Sequence, residues 1–254
     1  MDKIDINCYL GHWPYRKLYK NTFRDLIKIH KENGIAFGYV SSLNGIFYND
    51  PFEGDEEVHE EIGGTVYRHI LTVNPTLPGW AEDIIKALDS YKIYGVRVHP
   101  GIHGYPLDHP DFYDLCNFLV KHGLPLFLSL RMEDERLLYL LKTKTPSTAE
   151  LTRFIETHAD LSVIMITVRF GELMQLNKTI NKSCGVRFDT SGFKDRLFEL
   201  EKLTDVFPAE KILYGSAYPL YCLKSTMFTV EKAAVGQSVK DMVLYGNAVR
   251  LFDR

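Results

Sequence analysis

Four arginines stand near the ends of apolar, strand-like runs of this chain: Arg97, Arg131, Arg169 and Arg187. Arg97 precedes His99 by two residues, and Arg187 precedes Asp189 by two. Residues two apart on a strand share a face, so each pair is expected to point the same way. Guanidinium groups suit carboxylates and phosphates, to which they donate paired hydrogen bonds. The pattern predicts a pocket for a small anionic molecule; the alternative is that each arginine pairs with a nearby acidic side chain.

Other side chains near these strand ends could transfer protons. Asp189 is the best candidate for a general base, and His99 could act as acid or base because imidazole titrates near neutral pH. Tyr9 or Tyr218 could donate a hydrogen bond to a developing oxyanion. The same pocket is expected to contain the substrate-binding residues Asn7, His103 and Tyr218. The competing interpretation makes Asp189 an ion-pair partner of Arg97 or Arg187.

The elements that must position these residues are strand-like runs alternating with amphipathic helical stretches. Strands are predicted over Lys3–Leu10, Ala36–Ser42, Val66–Val73, Gly95–His99, Leu124–Leu130, Leu161–Val168, Gly185–Asp189 and Lys211–Ser216. Helices are predicted over Thr22–Glu32, Trp80–Tyr91, Asp111–Lys121, Thr148–His158 and Lys194–Val206. Ser147 is expected to cap the helix that begins at Thr148, with Glu150 close behind it.

Eight strands alternating with helices predict one (β/α)8 TIM barrel, with residues 1–254 forming a single domain. An open, doubly wound sheet is the competing architecture. It is disfavoured because no glycine-rich phosphate loop follows any strand. Active sites of such barrels lie at the C-terminal ends of the strands, where the polar residues above fall. The loop after the first strand brings His12 and Trp13 to the same end.

Composition excludes several classes of protein. Lys and Arg number 30 against 33 Asp and Glu, so no excess of positive charge indicates nucleic acid or an anionic membrane as a partner. The longest apolar runs, such as Leu161–Val168, are far shorter than a membrane span. The N-terminus lacks a signal-peptide pattern, and the four cysteines form no C-x-x-C pair. We therefore expect a cytoplasmic protein, and a homodimer is an open alternative to a monomer.

Several short motifs occur in a characteristic order. They are Asp5 and Gly11 around the first strand, Gly95–Pro100 and Gly123–Pro125 in the centre, Gly215, Ser216 and Pro219 after the last strand, and Asn247–Phe252. In this the chain resembles the amidohydrolase-related (amidohydrolase-2) family of metal-dependent barrel hydrolases. That family opens with D-x-H-x-H-x-G, ends its last strand with G-S-D-x-P and closes with N-A-x-R-L-F. The resemblance implies a TIM barrel and hydrolysis of a C–N or C–O bond, or decarboxylation.

The chain departs from the family at the positions where the resemblance implies metal ligands. Those positions hold Asn7 and Tyr9 after the first strand, Ser129 on the fifth, Thr167 (or Arg169) on the sixth, and Ala217 on the last. A catalytic zinc-type site needs about three imidazole, carboxylate or thiolate ligands and an open position for water. The sequence therefore predicts a divergent member that has lost the metal and uses no cofactor.

Three interpretations of function remain open. The first is a metal-independent hydrolase or lyase that acts on a small carboxylate or phosphate substrate at the C-terminal mouth of the barrel. The second is a non-catalytic relative that binds an anionic metabolite or a partner. The third is a metal-dependent hydrolase with an atypical ligand set such as His99, His103 and Asp189.

Overall fold

A computed structural model describes residues 2–133, 140–141, 143–193 and 198–252. Its eight strands are β1 (Lys3–Leu10), β2 (Ile35–Ser42), β3 (Arg68–Thr72), β4 (Ile93–Val98), β5 (Leu126–Ser129), β6 (Val163–Ile166), β7 (Val186–Asp189) and β8 (Ile212–Leu213). They form one sheet in chain order, and every neighbouring pair is parallel. The predicted TIM barrel is confirmed, and most predicted strands are trimmed by one to three residues at an end.

The helices lie between the strands and after the last one. They are α1 (Phe23–Glu32), α2 (Pro51–Ile62), α3 (Trp80–Ser90), α4 (Pro100–His103), α5 (Pro110–His122), α6 (Thr148–Thr157), α7 (Phe170–Lys182), α8 (Glu199–Thr204), α9 (Leu223–Glu231), α10 (Gln237–Asp241) and α11 (Asn247–Phe252). Ser147 caps α6 and shares a capping box with Glu150, as predicted. The helix predicted over Lys194–Val206 is present as α8, and residues 194–197 lie outside the described part of the chain.

Sequence reasoning did not specify α7 and α9 and left the acidic stretch of α2 open between a loop and a helix face. In the structure this acidic stretch is part of a helix, α2, which begins at Pro51 and has Asp50 as its N-cap. Within the described residues, no helix combines the length and the apolar character needed to cross a membrane.

The first strand closes the barrel against the segment that follows β8. The backbone N–H of Ile6 donates to the carbonyl of Tyr214 at 3.0 Å, and that of Tyr9 donates to Tyr218 at 2.8 Å. In return, the N–H of Ala217 donates to the carbonyl of Asn7 at 2.7 Å. The polar end of β1 is therefore held directly beside the chain that leaves β8.

The N-terminal end of the barrel is filled by apolar side chains. Ile4, Ile6, Tyr39, Ile70, Phe127, Ile164, Ile166, Leu213 and Ala248 form this interior cluster. The ring of Phe252, in α11, lies 4.2 Å from the Tyr39 ring and 6.1 Å from the Phe127 ring. The last helix thus covers this end, which leaves the opposite end for polar side chains.

Candidate functional site

Arg97, on β4, is the centre of a buried polar cluster inside the barrel. Its Nη1 donates to Asn7 Oδ1 at 2.7 Å and also to the hydroxyl oxygen of Tyr9. The guanidinium carbon lies 4.4 Å from the centre of the Tyr9 ring and 5.3 Å from that of Phe127. Arg97 and Asn7 are 0% exposed. A fully buried cation is therefore held by two oxygen atoms and two aromatic faces.

Asp189, at the end of β7, is the anion of the same cluster. Its Oδ2 accepts from Asn7 Nδ2 at 2.8 Å, and its Oδ1 accepts from the backbone N–H of Thr167 at 2.8 Å. Burial raises the pKa of Asp189 to about 6, although hydrogen bonds from Ser191, Thr167 and Asn7 and the charge of Arg97 oppose the rise. The Asn7 amide therefore bridges a cation and a carboxyl group that titrates near neutral pH.

Two local features bring Asn7 to Asp189. The pairing of β1 with β2 changes register between Asp5 and Cys8, so that Asn7 joins the interior directly after Ile6. Gly215 supplies the second feature, because a Cβ there would lie 2.8 Å from Asn7 Cβ and closer still to the Asp189 carboxylate. Only a glycine at this position leaves room for the amide–carboxylate contact.

A second apolar cluster covers the polar one. It consists of Tyr9, Trp13, Leu43, Ile46, Met132, Ala217, Leu220 and Tyr221. Arg16 fastens this cap, since its Nε donates to Glu133 Oε1 at 2.6 Å and its Nη2 to the Leu220 carbonyl. The predicted mouth residue Trp13 is fully buried in the cap, whereas His12 is exposed. The cap explains why Arg97 and Asp189 are sealed from solvent.

His99 and His103 lie beyond Arg97 on the same side of the barrel. Their ring centres are 6.0 Å apart, and His103 Nε2 lies 3.0 Å from the carbonyl oxygen of Ile46. Burial lowers the pKa of His99 well below its usual value, and nearby His103 and Arg97 lower it further. Neither nitrogen of His99 has a hydrogen-bond partner among the described residues. His99 is therefore a neutral imidazole with two unused polar atoms.

The other predicted arginines have different surroundings. Arg131 donates from Nη1 to Glu172 Oε2 at 2.8 Å and from Nη2 to Glu172 Oε1, so its charge is neutralised. Arg169 immediately precedes α7, and its backbone N–H donates to Glu172 at 2.9 Å. Arg187 lies near the start of β7, where its Nη1 is 3.5 Å from the Gly185 carbonyl.

Tyr218 also lies apart from Arg97. Its side chain packs in the larger core cluster between the barrel and the helices, and burial raises its pKa to about 12. Its backbone carbonyl accepts from Tyr9 and so helps to close the barrel. Of the predicted site residues, the structure thus joins Asn7, Tyr9, Arg97 and Asp189 through hydrogen bonds.

The side chains at the positions where the resemblance implies metal ligands do not fit a divalent ion. Asn7, Tyr9, Ser129, Thr167 and Ala217 offer no imidazole, carboxylate or thiolate. Two of them, Asn7 and Tyr9, instead accept hydrogen bonds from the Arg97 guanidinium. A cation beside these oxygens would meet the positive charge of Arg97 at close range. The two carboxylate oxygens of Asp189 already accept from Asn7 and Thr167.

A different set of metal-binding side chains lies on the other face of β1. Asp5, Cys8 and His30 are buried, and their ligand atoms lie within 4.8 Å of one another. The prediction that the chain has no metal site is therefore not supported for the whole molecule. Sequence analysis missed this group because it examined only the inward face of β1. Alternation along the strand gave one usable signal, since Cys8 falls between Asn7 and Tyr9 and must point outward.

The sequence profile of the amidohydrolase family matches residues 46–254. Among solved structures, 5-carboxyvanillate decarboxylase from Sphingomonas paucimobilis is similar with a TM-score of 0.78 at 13% identity, covering 99% of each chain. A 2,6-dihydroxybenzoate decarboxylase from Rhizobium has a TM-score of 0.74 at 14% identity, covering 99% of this chain and 98% of its own.

A dihydroxybenzoic acid decarboxylase from Polaromonas, similar with a TM-score of 0.74 at 14% identity over 99% of this chain and 97% of its own, carries bound manganese. No curated protein sequence matches. At these identities the solved structures establish a shared fold. The profile covers most of the chain and includes the last strand and the closing helix, on which the resemblance rested. This chain belongs to the amidohydrolase family.

Proposed function

We propose that this barrel binds a small carboxylate through Arg97 and acts on it as a hydrolase or lyase that needs no divalent metal at its mouth. One observation carries the proposal. Asn7 and Tyr9 occupy Nη1 of Arg97, whereas Nε and Nη2 are buried with no hydrogen-bond partner among the described residues. The N–H bonds on the Nε–Nη2 edge of a guanidinium point in one direction, which is the geometry of a two-point contact with a carboxylate.

The energy of this unused edge favours an anion. A buried donor without a partner costs about 1–3 kcal/mol, and the edge has more than one. A carboxylate would accept from these N–H groups and would also compensate the buried charge. His99 lies two residues further along β4 and adds two unused ring nitrogens, the protonated one of which can donate to the same ligand.

The charge of Asp189 decides how strongly the cluster attracts an anion. When Asp189 is ionised, its charge compensates that of Arg97 through Asn7. When Asp189 is protonated, the charge of Arg97 is uncompensated. Because the pKa of Asp189 is raised to about 6, a carboxylate and a proton are expected to bind together near neutral pH.

The same carboxyl group is the proposed proton carrier. In a hydrolase, Asp189 would take a proton from the attacking water in the fraction of the complex in which it is ionised. In a lyase, the bond to a carboxylate breaks, carbon dioxide leaves, and the proton of Asp189 replaces it on carbon. The departing carboxylate cannot be the one that Arg97 holds, because an ion pair stabilises the ionised carboxylate and opposes its loss. Tyr9 receives a hydrogen bond from Arg97, and its own O–H donates to Met132 Sδ at 3.5 Å, a weak acceptor that a substrate oxygen would replace.

The names of similar structures support a carboxylate substrate. Two of them are decarboxylases of 5-carboxyvanillate and 2,6-dihydroxybenzoate. A third is a probable 2-pyrone-4,6-dicarboxylic acid hydrolase from Acinetobacter baumannii with citric acid bound, similar with a TM-score of 0.69 at 13% identity over the full length of both chains. For this chain we propose only the substrate class, carboxylates, and no individual substrate.

The cap over Arg97 favours a second candidate function, a non-catalytic carboxylate-binding protein. Trp13 and its neighbours bury the cluster completely, so a ligand must displace part of the cap to enter. Slow exchange suits a binding protein better than an enzyme with rapid turnover. The two functions share the Arg97 contact and differ only in whether the ligand is converted.

Calorimetry of EDTA-treated protein tests the binding step, with benzoate, isophthalate, citrate and inorganic phosphate as probes. We expect one carboxylate site per chain and an affinity at least about tenfold weaker in Arg97→Lys, since lysine cannot form the two-point contact. Arg131→Lys is the matched control, because Glu172 already neutralises Arg131. Failure of every carboxylate to bind, or equal affinity in Arg97→Lys, would contradict the proposal.

Turnover is measured separately on the same metal-free protein. Release of carbon dioxide from hydroxybenzoates and carboxybenzoates, or hydrolysis of lactones and amides that bear a carboxylate, supports the enzyme. Tight binding without conversion of any bound compound supports the non-catalytic candidate. Activity that appears only with added manganese or zinc and disappears in Asp189→Asn would favour the interpretation with a metal at the mouth.

A further inference from the structure

Three buried side chains of metal-binding types meet at the outer face of β1, Asp5 and Cys8 from the strand itself and His30 from α1. Asp5 and His30 are 0% exposed, and so is Cys8. We infer that Asp5 Oδ2, Cys8 Sγ and His30 Nε2 form a binding site for a zinc-type divalent metal, separate from the mouth of the barrel. Carboxylate, thiolate and imidazole together make a donor set that zinc accepts.

Two polar atoms of this group, His30 Nε2 and Asp5 Oδ2, have lone pairs or hydrogen-bonding capacity left for an ion. His30 Nε2 lies 3.4 Å from Asp5 Oδ2 and has no hydrogen-bond partner among the described residues. Asp5 Oδ1 already accepts from the backbone N–H groups of Asn7 and Ser216. Asp5 Oδ2 accepts only from the Ser216 hydroxyl among the described contacts, so a lone pair remains for an ion.

The separation of the ligand atoms suits a small cation. With zinc–ligand bonds of about 2.0–2.3 Å, the ligands of a tetrahedral site stand about 3.3–3.8 Å apart. The oxygen–nitrogen separation of 3.4 Å lies in this range, and the sulfur lies within 4.8 Å of both atoms. Modest side-chain rotation therefore suffices to complete the three-ligand set.

Neighbouring residues prepare the site. The His30 Nδ1 atom lies 3.1 Å from the Tyr67 hydroxyl, and the two rings are stacked, which fixes the orientation of the imidazole. Gly38, on β2, faces the group. A Cβ at Gly38 would lie 2.6 Å from Cys8 Sγ and 2.9 Å from His30 Cε1. The absent side chain thus lets these two ligand side chains lie close to the β2 backbone.

Charge balance also favours a dication here. Binding would remove the thiol proton of Cys8, which now donates to the carbonyl of Tyr39 at 3.2 Å. One thiolate and one carboxylate then neutralise the two positive charges, and His30 contributes a neutral ligand. The products are a neutral buried complex and one proton released to solvent. Such an ion would tie α1 to β1 and would take no part in chemistry at the mouth.

Cobalt substitution tests this site directly. The protein is a Cys184→Ser, Cys222→Ser double variant, which removes the two exposed thiols. We expect EDTA-treated protein to bind one Co²⁺ per chain and to show a thiolate-to-cobalt charge-transfer band. The band should vanish in Cys8→Ser and weaken in His30→Gln. Added Zn²⁺ should bleach it and raise the midpoint of thermal unfolding.

Each alternative result overturns the inference. Absence of the band together with no change of the unfolding midpoint on adding Zn²⁺ identifies the group as a metal-free polar cluster. A band that survives in Cys8→Ser assigns the metal to another thiol. The Arg97→Lys variant should keep both the band and the stoichiometry, so failure of carboxylate binding at the mouth leaves this test unaffected.

Discussion

The two faces of β1 carry polar groups of opposite character. On the inner face, the neutral Asn7 amide and the Tyr9 hydroxyl accept hydrogen bonds from a cation that belongs to the chain, Arg97. On the outer face, Asp5 and Cys8 supply an acid and a thiol beside His30. Positions that would suit a metal in the family hold neutral groups, while a ligand-type set occurs on the other side. The proposed metal site and the proposed carboxylate site therefore differ in side-chain charge and lie on opposite faces of one strand.

The largest expected effect comes from adding one methyl group to each face. Gly215→Ala should destabilise the fold by about 3 kcal/mol, since its Cβ would collide with Asp189 and Asn7, and carboxylate binding should be lost. Gly38→Ala should cost about 1–2 kcal/mol, because the Cβ meets side-chain atoms of Cys8 and His30 while the nearest backbone atom is 3.3 Å away. Chemical unfolding measures both free energies.

Each glycine variant is also expected to lose one ligand, Co²⁺ or carboxylate, and to keep the other. Gly38→Ala should lose the cobalt band and keep carboxylate binding, and Gly215→Ala should do the reverse. Gly171→Ala, on the exposed side of α7 with no atom near its Cβ, is the control and should change stability by less than about 1 kcal/mol. Loss of both ligands in both variants would mean that the two faces are not independent.

A smaller effect is expected from pH on carboxylate affinity at the inner face. The folded-state pKa of Asp189 is raised to about 6, so the proton is bound more tightly than in an unfolded chain. Carboxylate affinity should be highest below about pH 6 and should fall by up to about tenfold per pH unit above it. Titration calorimetry from pH 5 to 8, values chosen to span about one unit below and two above the pKa, measures this slope.

The control for the pH experiment is Asp189→Asn. Its amide carries no titrating proton, so the slope above about pH 6 should disappear. An unchanged slope in this variant would assign the pH dependence to another group and would remove Asp189 from the proposed proton transfer.

The smallest effect is expected at the cap over the inner face. Arg16→Gln should cost less than about 1 kcal/mol, because its ion pair with Glu133 is partly exposed. It should nevertheless loosen the cap and admit acrylamide to the buried indole of Trp13, raising the quenching of its fluorescence. A Trp80→Phe background leaves Trp13 as the only tryptophan.

The matched control is Lys86→Gln, which breaks an exposed ion pair with Glu56 away from the cap. Quenching should not change in that variant. Equal quenching in Arg16→Gln and the unsubstituted protein would show that the cap closes without this contact.

The architecture could be predicted because it depends on repeated local patterns. Strand and helix periodicities recur along the chain, and the glycine, serine and asparagine motifs near its end recur in a known family. The prediction that Asn7, Tyr9, Arg97 and Asp189 share one end depended on strand parity. These four residues do meet. The irregularity of β1 lies between Asp5 and Cys8, and Asn7 and Tyr9 still share the inner face.

The remaining features depend on contacts between distant residues. Parity alone grouped Arg131 and Arg187 with Arg97, but it cannot show that Glu172 reaches Arg131 across 41 positions. Parity also does not show that Arg187 lies near the start of β7, at the end of the strand away from the mouth. The meeting of His30 with Asp5 depends on how α1 packs on the barrel, which no local pattern records.

The closure of β1 against the chain after β8 has a consequence for synthesis on the ribosome. The backbone partners of β1 at Tyr214, Ala217 and Tyr218 are made more than 200 residues after it. The apolar cluster at the N-terminal end of the barrel is completed later still, because Phe252 covers it. Through most of translation, therefore, the first strand has one unpaired edge and the barrel interior stays open. Such an edge is a template for aggregation, so a nascent-chain chaperone is expected to matter most for this part of the molecule.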